Sequence, residues 1–355
     1  MKNNTEISTY LPQIAARFCF GDDEPALRKY GAGHINETYL VTNKEGRRYI
    51  LQRISEELTT DAAGLTDNIL RITTHLRNRE PDPDPRRVLT PVPCREGSYL
   101  LQHAAGNWRA FEYIEDSICL QTVERDEDFY QSALAFGHFE ELLKDFDVSS
   151  LKETIVDFHN TPLRFRRFCQ ALEADTAGRA REVERETAFL MEREEDMSLL
   201  QNMRESGELP VRVTHNDTKL NNVLLDRTTR KALCVIDLDT VMPGLSLYDF
   251  GDSIRYGAAT AAEDERDLTK QMLDLQRYRV FRDGFLTACP DLTPLERELL
   301  PVGARVITLE QAVRFLTDYL EGDVYYHTTR PGQNLDRCRT QIRLVEDMEK
   351  KWDQM

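Results

Sequence analysis

The stretch VRVTHNDTKLNNVLLD, residues 211–226, decides how the rest of the chain is read. Val211 and Val213 on one side, and Val223 and Leu225 on the other, alternate as short strands do. Between them stand His215, Asp217, Lys219, Asn221 and Asn222. Such a cluster reads either as a polar surface loop capped by Asx hydrogen bonds or as a reactive loop held at a fixed height by its strands. Further on, ALCVIDLD (232–239) is an apolar strand ending in Asp237 and Asp239, joined to the first stretch through the turn RTTR. A carboxylate at the end of a buried strand is positioned rigidly, which a hard cation such as Mg2+ requires.

The spacing narrows the choice. Asp217 and Asn222 are five residues apart and His215 lies two before Asp217. Phosphoryl transfer needs a carboxylate beside the attacking hydroxyl and, after a short loop, an amide oxygen for the metal, in the pattern H-R-D-x-x-x-x-N. Asp237 then supplies the second metal ligand. A literal Asp-Phe-Gly occurs at Asp249, Phe250 and Gly251, but the loop MPGLSLY separates it from the strand. Asp249 is therefore expected to brace the reactive loop by hydrogen bonds, and His215 to do the same.

Outward toward the N-terminus, ALRKYGAGHINETYLVT and RRYILQRIS read as strands, the latter following the turn NKEG. Gly31 and Gly33 stand two apart at a bend, where backbone N–H groups are able to approach phosphate, although plain turn chemistry is the commoner reason for such a pair. A strand follows, so this is no dinucleotide fingerprint. TDNILRITTHLRN carries Ile69, Ile72 and Leu76 at helical spacing, and SYLLQ and WRAFEYIED read as two more strands. Beyond residue 116 the pattern is helical: DEDFYQSALAFGHFEELLKDF, one long charged helix over 180–206, and helices in 263–288, 293–320 and 336–353.

The fold class expected is α+β and bilobal. An antiparallel sheet plus a helix spans 1–110, a hinge 111–116, and a mainly helical lobe 117–355. With 355 residues, two lobes suit the length. A net charge of −16 argues against nucleic acid as the main partner, because phosphate backbones need clustered Lys and Arg. Cys19, Cys94, Cys119, Cys169, Cys234, Cys289 and Cys338 are odd in number and show no Cys-x-x-Cys pair, so reduced thiols and a cytoplasmic location are expected. The first twenty residues lack the apolar core of a signal peptide, and no apolar run reaches membrane-spanning length.

The glycine turn, WRAFEYIED, the H-x-D-x(4)-N loop and the I-D-x-D strand, taken together, resemble the aminoglycoside phosphotransferase and choline kinase superfamily, with its protein-kinase-like fold. The run through CVIDLDTVMPGLSLYDFGDSIRYGA, with GAGHINETYLV and RFLTDYLEGDVYY, is similar to bacterial N-acetylhexosamine 1-kinases. The resemblance implies ATP as phosphoryl donor, Mg2+, and a small sugar acceptor phosphorylated at its anomeric hydroxyl. It implies Asp217 as catalytic base and Asn222 and Asp237 as metal ligands. It puts Gly31, Gly33 and Asn36 over the phosphates, and the backbone of Glu112, Tyr113 and Ile114 against adenine. His34, Arg314 and Tyr325 would line the sugar site. From the residues alone, Arg314 reads as a surface partner of Asp318 four positions on, and Tyr325 as a half-buried packing residue.

One departure stands out. Gln52 and Arg53 occupy the strand where kinases carry the phosphate-binding lysine, and strand alternation puts them on opposite faces. The same fold also suits another small alcohol such as choline, homoserine or an aminoglycoside, or a nucleotide-binding pseudokinase without chemistry.

Overall fold

The computed structural model describes residues 4–31, 36–56 and 59–355. In chain order the elements are α1 (Asn4–Ala15), β1 (Ala26–Lys29), β2 (Glu37–Thr42), β3 (Arg48–Ile54), α2 (Ala62–Arg79), β4 (Pro91–Val92), β5 (Leu101–His103), β6 (Gly106–Glu112) and β7 (Ser117–Cys119). There follow α3 (Asp126–Leu142), α4 (Thr161–Ala174), α5 (Glu184–Met191), α6 (Glu194–Ser206), β8 (Arg212–Thr214), β9 (Val223–Asp226), β10 (Ala232–Val235) and β11 (Met242–Gly244). The chain closes with α7 (Ser246–Gly257), α8 (Leu275–Ala288), α9 (Pro294–Glu298), α10 (Leu300–Glu321) and α11 (Gln333–Lys350).

The first sheet runs β1-β2-β3-β6-β4, with β5 also on β6, and every pairing is antiparallel. Alternation splits its faces. Val41, Leu51, Trp108 and Ala110 pack with Ile14, Phe18 and Phe20 from the N-terminal segment. The other face offers Ile54 and Phe111 to Leu65, Ile69, Ile72 and Leu76 of α2. Burying each such aliphatic side chain contributes about 1.5–3 kcal/mol, so the apolar stripe read from sequence is what seats α2. Its first turn is capped by Asp61, whose Oδ1 accepts from the Gly64 N–H at 2.7 Å.

The remaining chain is mainly helical around two cores, one built on α3, α7 and α8 and one on α4, α10 and α11. The structure is thus bilobal α+β. Set against the helices are the hairpin β9–β10, extended by β7, and the ladder β8–β11.

Two helical expectations need correction. The charged segment 180–206 is not one helix: α5 ends at Met191 and α6 begins at Glu194. Arg193 sits at the break, donating to the Phe189 carbonyl at 2.9 Å and forking onto Glu349 of α11 at 2.8 and 2.9 Å. Leu190 and Met197 both join the core with α10 and α11. Residues 263–274 likewise form no α-helix, only a single 3-10 turn at Leu268–Lys270. Asp274 caps the start of α8, accepting from Gln276 and Arg277 N–H groups. The helix α1, unread in the sequence, packs Leu11 and Ile14 against one face of the first sheet. All seven cysteines are free, and among the described residues no helix is long and apolar enough to cross a membrane.

Candidate active site

The loop after β8 is built by backbone capture. Asn216 adopts a left-handed conformation, φ 64°, and its amide bridges outward: Oδ1 accepts from Thr214 Oγ1 at 2.9 Å and Nδ2 donates to the Thr240 carbonyl at 2.8 Å. Gly244 on the paired strand leaves room for this, since a Cβ there would lie 2.1 Å from Thr214 Oγ1. Asp249, in the first turn of α7, accepts the His215 N–H at 2.7 Å and the Asn216 N–H at 2.6 Å. It is a brace, as its distance from the strand implied. Burial pushes its carboxyl up to about 6, against the pull of His215 and those two N–H groups. His215 is fully buried; its Nε2 faces the Ile236 carbonyl at 2.9 Å, so Nε2 carries the proton and Nδ1 accepts the Asp217 N–H at 3.3 Å.

Asp217 is thereby aimed away from the core. Asn222 Nδ2 donates to its Oδ2 at 3.0 Å and to its carbonyl at 2.8 Å, while Lys219 Nζ pairs with Oδ1 at 2.7 Å. Enclosure by the protein would raise its carboxyl; Lys219, His215 and Asn222 outweigh that and hold it below the ordinary aspartate range. Lys219 contacts this carboxylate, the third residue of its own loop.

Asn222 is buried and spends its amide N–H groups on Asp217, so Oδ1 accepts no hydrogen bond among the described residues. Asp237 stands just past β10 in a left-handed conformation, φ 59°. Its carboxylate is exposed to the cleft and has no hydrogen-bond partner among the described residues. The walls of the cleft push its carboxyl up to about 6, and the like charges of Asp239 and Asp217 push the same way, against Arg109 and His215.

The residue that sequence reading missed is Arg109 on β6. It is 3% exposed. The register sets Thr38, Gln52 and Arg109 in one row across β2, β3 and β6. Gln52 accepts from Arg109 Nε at 3.1 Å and donates to Thr38 Oγ1 at 3.2 Å. Arg109 Nη1 meets Asp239 in an ion pair buried on both sides. Arg53 lies on the other face, paired with Glu37 at 2.8 Å and with the Ala105 carbonyl. A lone arginine in the apolar run WRAFEY was the available signal.

Gly31 lies at the glycine bend with φ 78°; Gly33 and His34 fall outside the described residues. Asn36 spans the cleft, donating to Asp239 Oδ2 at 2.7 Å and accepting the Ser55 N–H at 3.0 Å. At the end of β6, the Glu112 N–H is spent on the Thr90 carbonyl at 2.8 Å and the Tyr113 N–H on Arg48 at 3.1 Å. Ile114 N–H has no acceptor among the described residues. Tyr113 and Tyr30 meet through their hydroxyls at 3.3 Å.

Arg314 does not pair with Asp318. Asp318 instead collects the N–H groups of Val324, Tyr325 and Tyr326 at 2.7–3.0 Å and the Asn334 amide at 2.7 Å. Arg314 lies over the rings of Phe158 and Tyr326, at 5.3 and 5.8 Å, and 3.9 Å from Glu310. Glu310 holds His159 Nδ1 at 2.8 Å, and His159 Nε2 donates to the Asn216 carbonyl at 3.0 Å. A relay of contacts thus joins Arg314 to the Asp217 loop. Tyr325 is 62% exposed, its ring edge-on to Tyr326 at 4.8 Å. A groove of about 350 Å³ lined by His159, Asn216, Arg204 and Tyr248 touches neither Asp217 nor Asp237; the reactive groups face the open cleft instead.

A family model described as the phosphotransferase enzyme family matches residues 26–282, which hold every one of these cleft carboxylates. The chain belongs to that family. Solved structures agree on the fold. A microcompartment-associated aminopropanol kinase superposes with a TM-score of 0.67 at 18% identity, over 98% of both chains. A spectinomycin phosphotransferase in complex with ADP and spectinomycin gives 0.62 at 12%, over 98% of both. An amicoumacin kinase in complex with AMP-PNP and Ca2+ gives 0.59 at 13%, over 96% of both.

The donor set of this phosphotransferase suits a hard cation shared with phosphate. Among the described residues no group of three His, Cys, Asp or Glu is arranged for a metal. Among the described residues, Asn222 Oδ1 and the Asp237 carboxylate stand free beside each other's loops, and Mg2+ commonly takes one or two such protein ligands beside substrate phosphates.

Proposed function

We propose that this phosphotransferase moves the γ-phosphoryl group of ATP to the anomeric hydroxyl of an N-acetylhexosamine, N-acetylglucosamine or N-acetylgalactosamine, giving the sugar 1-phosphate. The observation that carries the acceptor is Arg314: a guanidinium tied through Glu310 and His159 to the carbonyl of Asn216, next to Asp217. A cationic acceptor prefers an acidic or aromatic pocket. A neutral sugar with an acetamido carbonyl instead accepts from an arginine, which matches the resemblance in RFLTDYLEGDVYY.

Asp217 accepts the hydrogen bond of the sugar hydroxyl and aims its oxygen at the γ-phosphorus. The O–P bond forms as the bond to the β-phosphate oxygen breaks; ADP leaves and the hydroxyl proton passes to Asp217 and on to solvent. A carboxylate held below its ordinary range is a weak base, so its main contribution is orientation. An anomeric hydroxyl, more acidic than an ordinary alcohol, suits such a partner. Asn222 Oδ1 and Asp237 would hold Mg2+, which offsets charge on the phosphates. The Ile114 N–H is the hinge donor left for the adenine edge.

The test is coupled ADP release over a panel of N-acetylhexosamines, aminopropanol, choline, homoserine and an aminoglycoside, with phosphorus NMR of the product. Turnover with an N-acetylhexosamine and an anomeric phosphate signal is expected. Turnover confined to the amino alcohols would move the reading to that acceptor class, and near-normal turnover by Asp217→Asn would remove Asp217 from the chemistry.

A further inference from the structure

We propose that Arg109 is the cation that receives the nucleotide phosphates in this cleft, and that Asp239 holds it until a nucleotide arrives. The proposal rests on the nucleotide-using part of the reading above and is independent of the acceptor.

The N-lobe sheet lacks a lysine where phosphate needs one. On β3, Gln52 carries no charge, and Arg53 is turned to the opposite face and bound to Glu37. The register puts Arg109 directly beside Gln52, on the face turned to the cleft. It is the cation of that row. Gln52 anchors Nε at 3.1 Å, which fixes the plane of the guanidinium and the direction of its outer nitrogens.

The partner of Arg109 is chosen for exchange. Asp239 lies two residues past Asp237, on the segment that carries the free carboxylate. The side chains are 4% and 5% exposed. Nη1 of Arg109 and Oδ1 of Asp239 form a single-point ion pair. A buried arginine fork normally satisfies its donors on two carboxylate oxygens. Here Asp239 Oδ2 is engaged by Asn36 at 2.7 Å, Arg109 meets Asp239 through Nη1 on Oδ1 alone, and among the described residues Nη2 remains for another anion. Because Asn36 keeps its bond, Asp239 stays in place when Arg109 meets phosphate.

The experiment is calorimetric binding of ADP and of adenosine, both without divalent metal. It compares the intact chain, Asp239→Asn and the double variant Asp239→Asn/Arg109→Gln. The double variant removes both charges together, which avoids stranding a buried carboxylate. Adenosine lacks phosphate and reports on the fold of the cleft. Asp239→Asn is expected to tighten ADP about three- to tenfold by freeing Arg109. The double variant is expected to bind ADP at least tenfold more weakly than Asp239→Asn, with adenosine affinity unchanged in all three. Equal ADP affinity in the single and double variants would overturn the role of Arg109. Parallel loss of adenosine and ADP would overturn it too, in favour of a purely structural pair. An intact chain that binds neither compound would instead overturn nucleotide use of the cleft itself.

Discussion

Lys219 grips the carboxylate it sits two residues from: its Nζ lies 2.7 Å from Oδ1 of Asp217. The pair is partly open to solvent, 35% and 27% exposed, so its worth is positional more than energetic. Lys219→Met leaves Asp217 with Asn222 and His215 only. Its carboxyl then rises from its lowered value, and the fraction ionised at mildly acidic pH falls. The acid limb of the kcat/KM profile is expected to move to higher pH, with turnover near neutrality down about 100-fold from lost alignment. An unmoved acid limb would separate Lys219 from the titration of Asp217.

The buried His159–Glu310 pair makes stability depend on pH in a defined direction. Burial alone lowers the His159 pKa, but the Glu310 carboxylate and the Asn216 carbonyl outweigh it and raise the pKa, against Arg314. For Glu310, burial raises and His159, Arg314 and Thr161 lower, with a net decrease. A histidine raised on folding adds stability below its unfolded pKa of about 6.5, lost as pH climbs through the folded value. A carboxylate lowered on folding adds stability above about 4.5, lost as pH falls through its folded value. Both contributions are present together between about pH 4.5 and 6.5. Glu310→Gln is expected to cost about 3 kcal/mol there, and less at alkaline pH where His159 sheds its proton. Urea unfolding of both chains at pH 5.5 and 9 checks the sign: a larger gap at pH 9 would contradict the pairing.

How much of this was open to sequence reading follows from what each feature depends on. The order Asp217, Asn222, Asp237 is a matter of local spacing, and the hairpin β9–β10 follows from two short apolar runs and a turn. Asp249 was assigned as a brace because it lies outside the strand, and it accepts two loop N–H groups. Arg109 was invisible because its role depends on the register of β3 against β6 and on Asp239, far along the chain. The fate of Arg314 likewise hinged on α4 and the segment before it, which bring Phe158 and His159 beneath α10. Asp318, the partner that helical spacing offered it, is consumed by a loop that closes only in three dimensions.

Gly251, the glycine of the literal Asp-Phe-Gly, serves packing. A Cβ on it would lie 2.5 Å from the Gly303 carbonyl oxygen, and one on Gly303 would lie 2.5 Å from that of Leu247. The two glycines let α7 and α10 cross backbone to backbone. Gly251→Ala is expected to cost about 1–3 kcal/mol through forced separation of the helices, with a lower midpoint in thermal unfolding. Since both glycines relieve one contact, Gly251→Ala/Gly303→Ala should cost less than the sum of the single changes. Full additivity would mean that the helices yield independently at the two points.

Arg314 offers the sharpest test of the acceptor, because its removal leaves the scaffold satisfied. Glu310 keeps His159 at 2.8 Å and Thr161 at 2.7 Å, and the more distant guanidinium, at 3.9 Å, adds little to holding that carboxylate. Arg314→Gln therefore changes mainly what the site presents to a ligand: a charged donor becomes a neutral amide of shorter reach. If the acetamido group of the sugar is read by Arg314, KM for N-acetylglucosamine should rise at least about tenfold. KM for ATP should stay within about twofold, since the contacts proposed for the nucleotide are with the sheet, the hinge and Asp237. A rise in both constants together would point to displacement of the loop through His159 instead, and an unchanged sugar KM would take Arg314 out of the acceptor site.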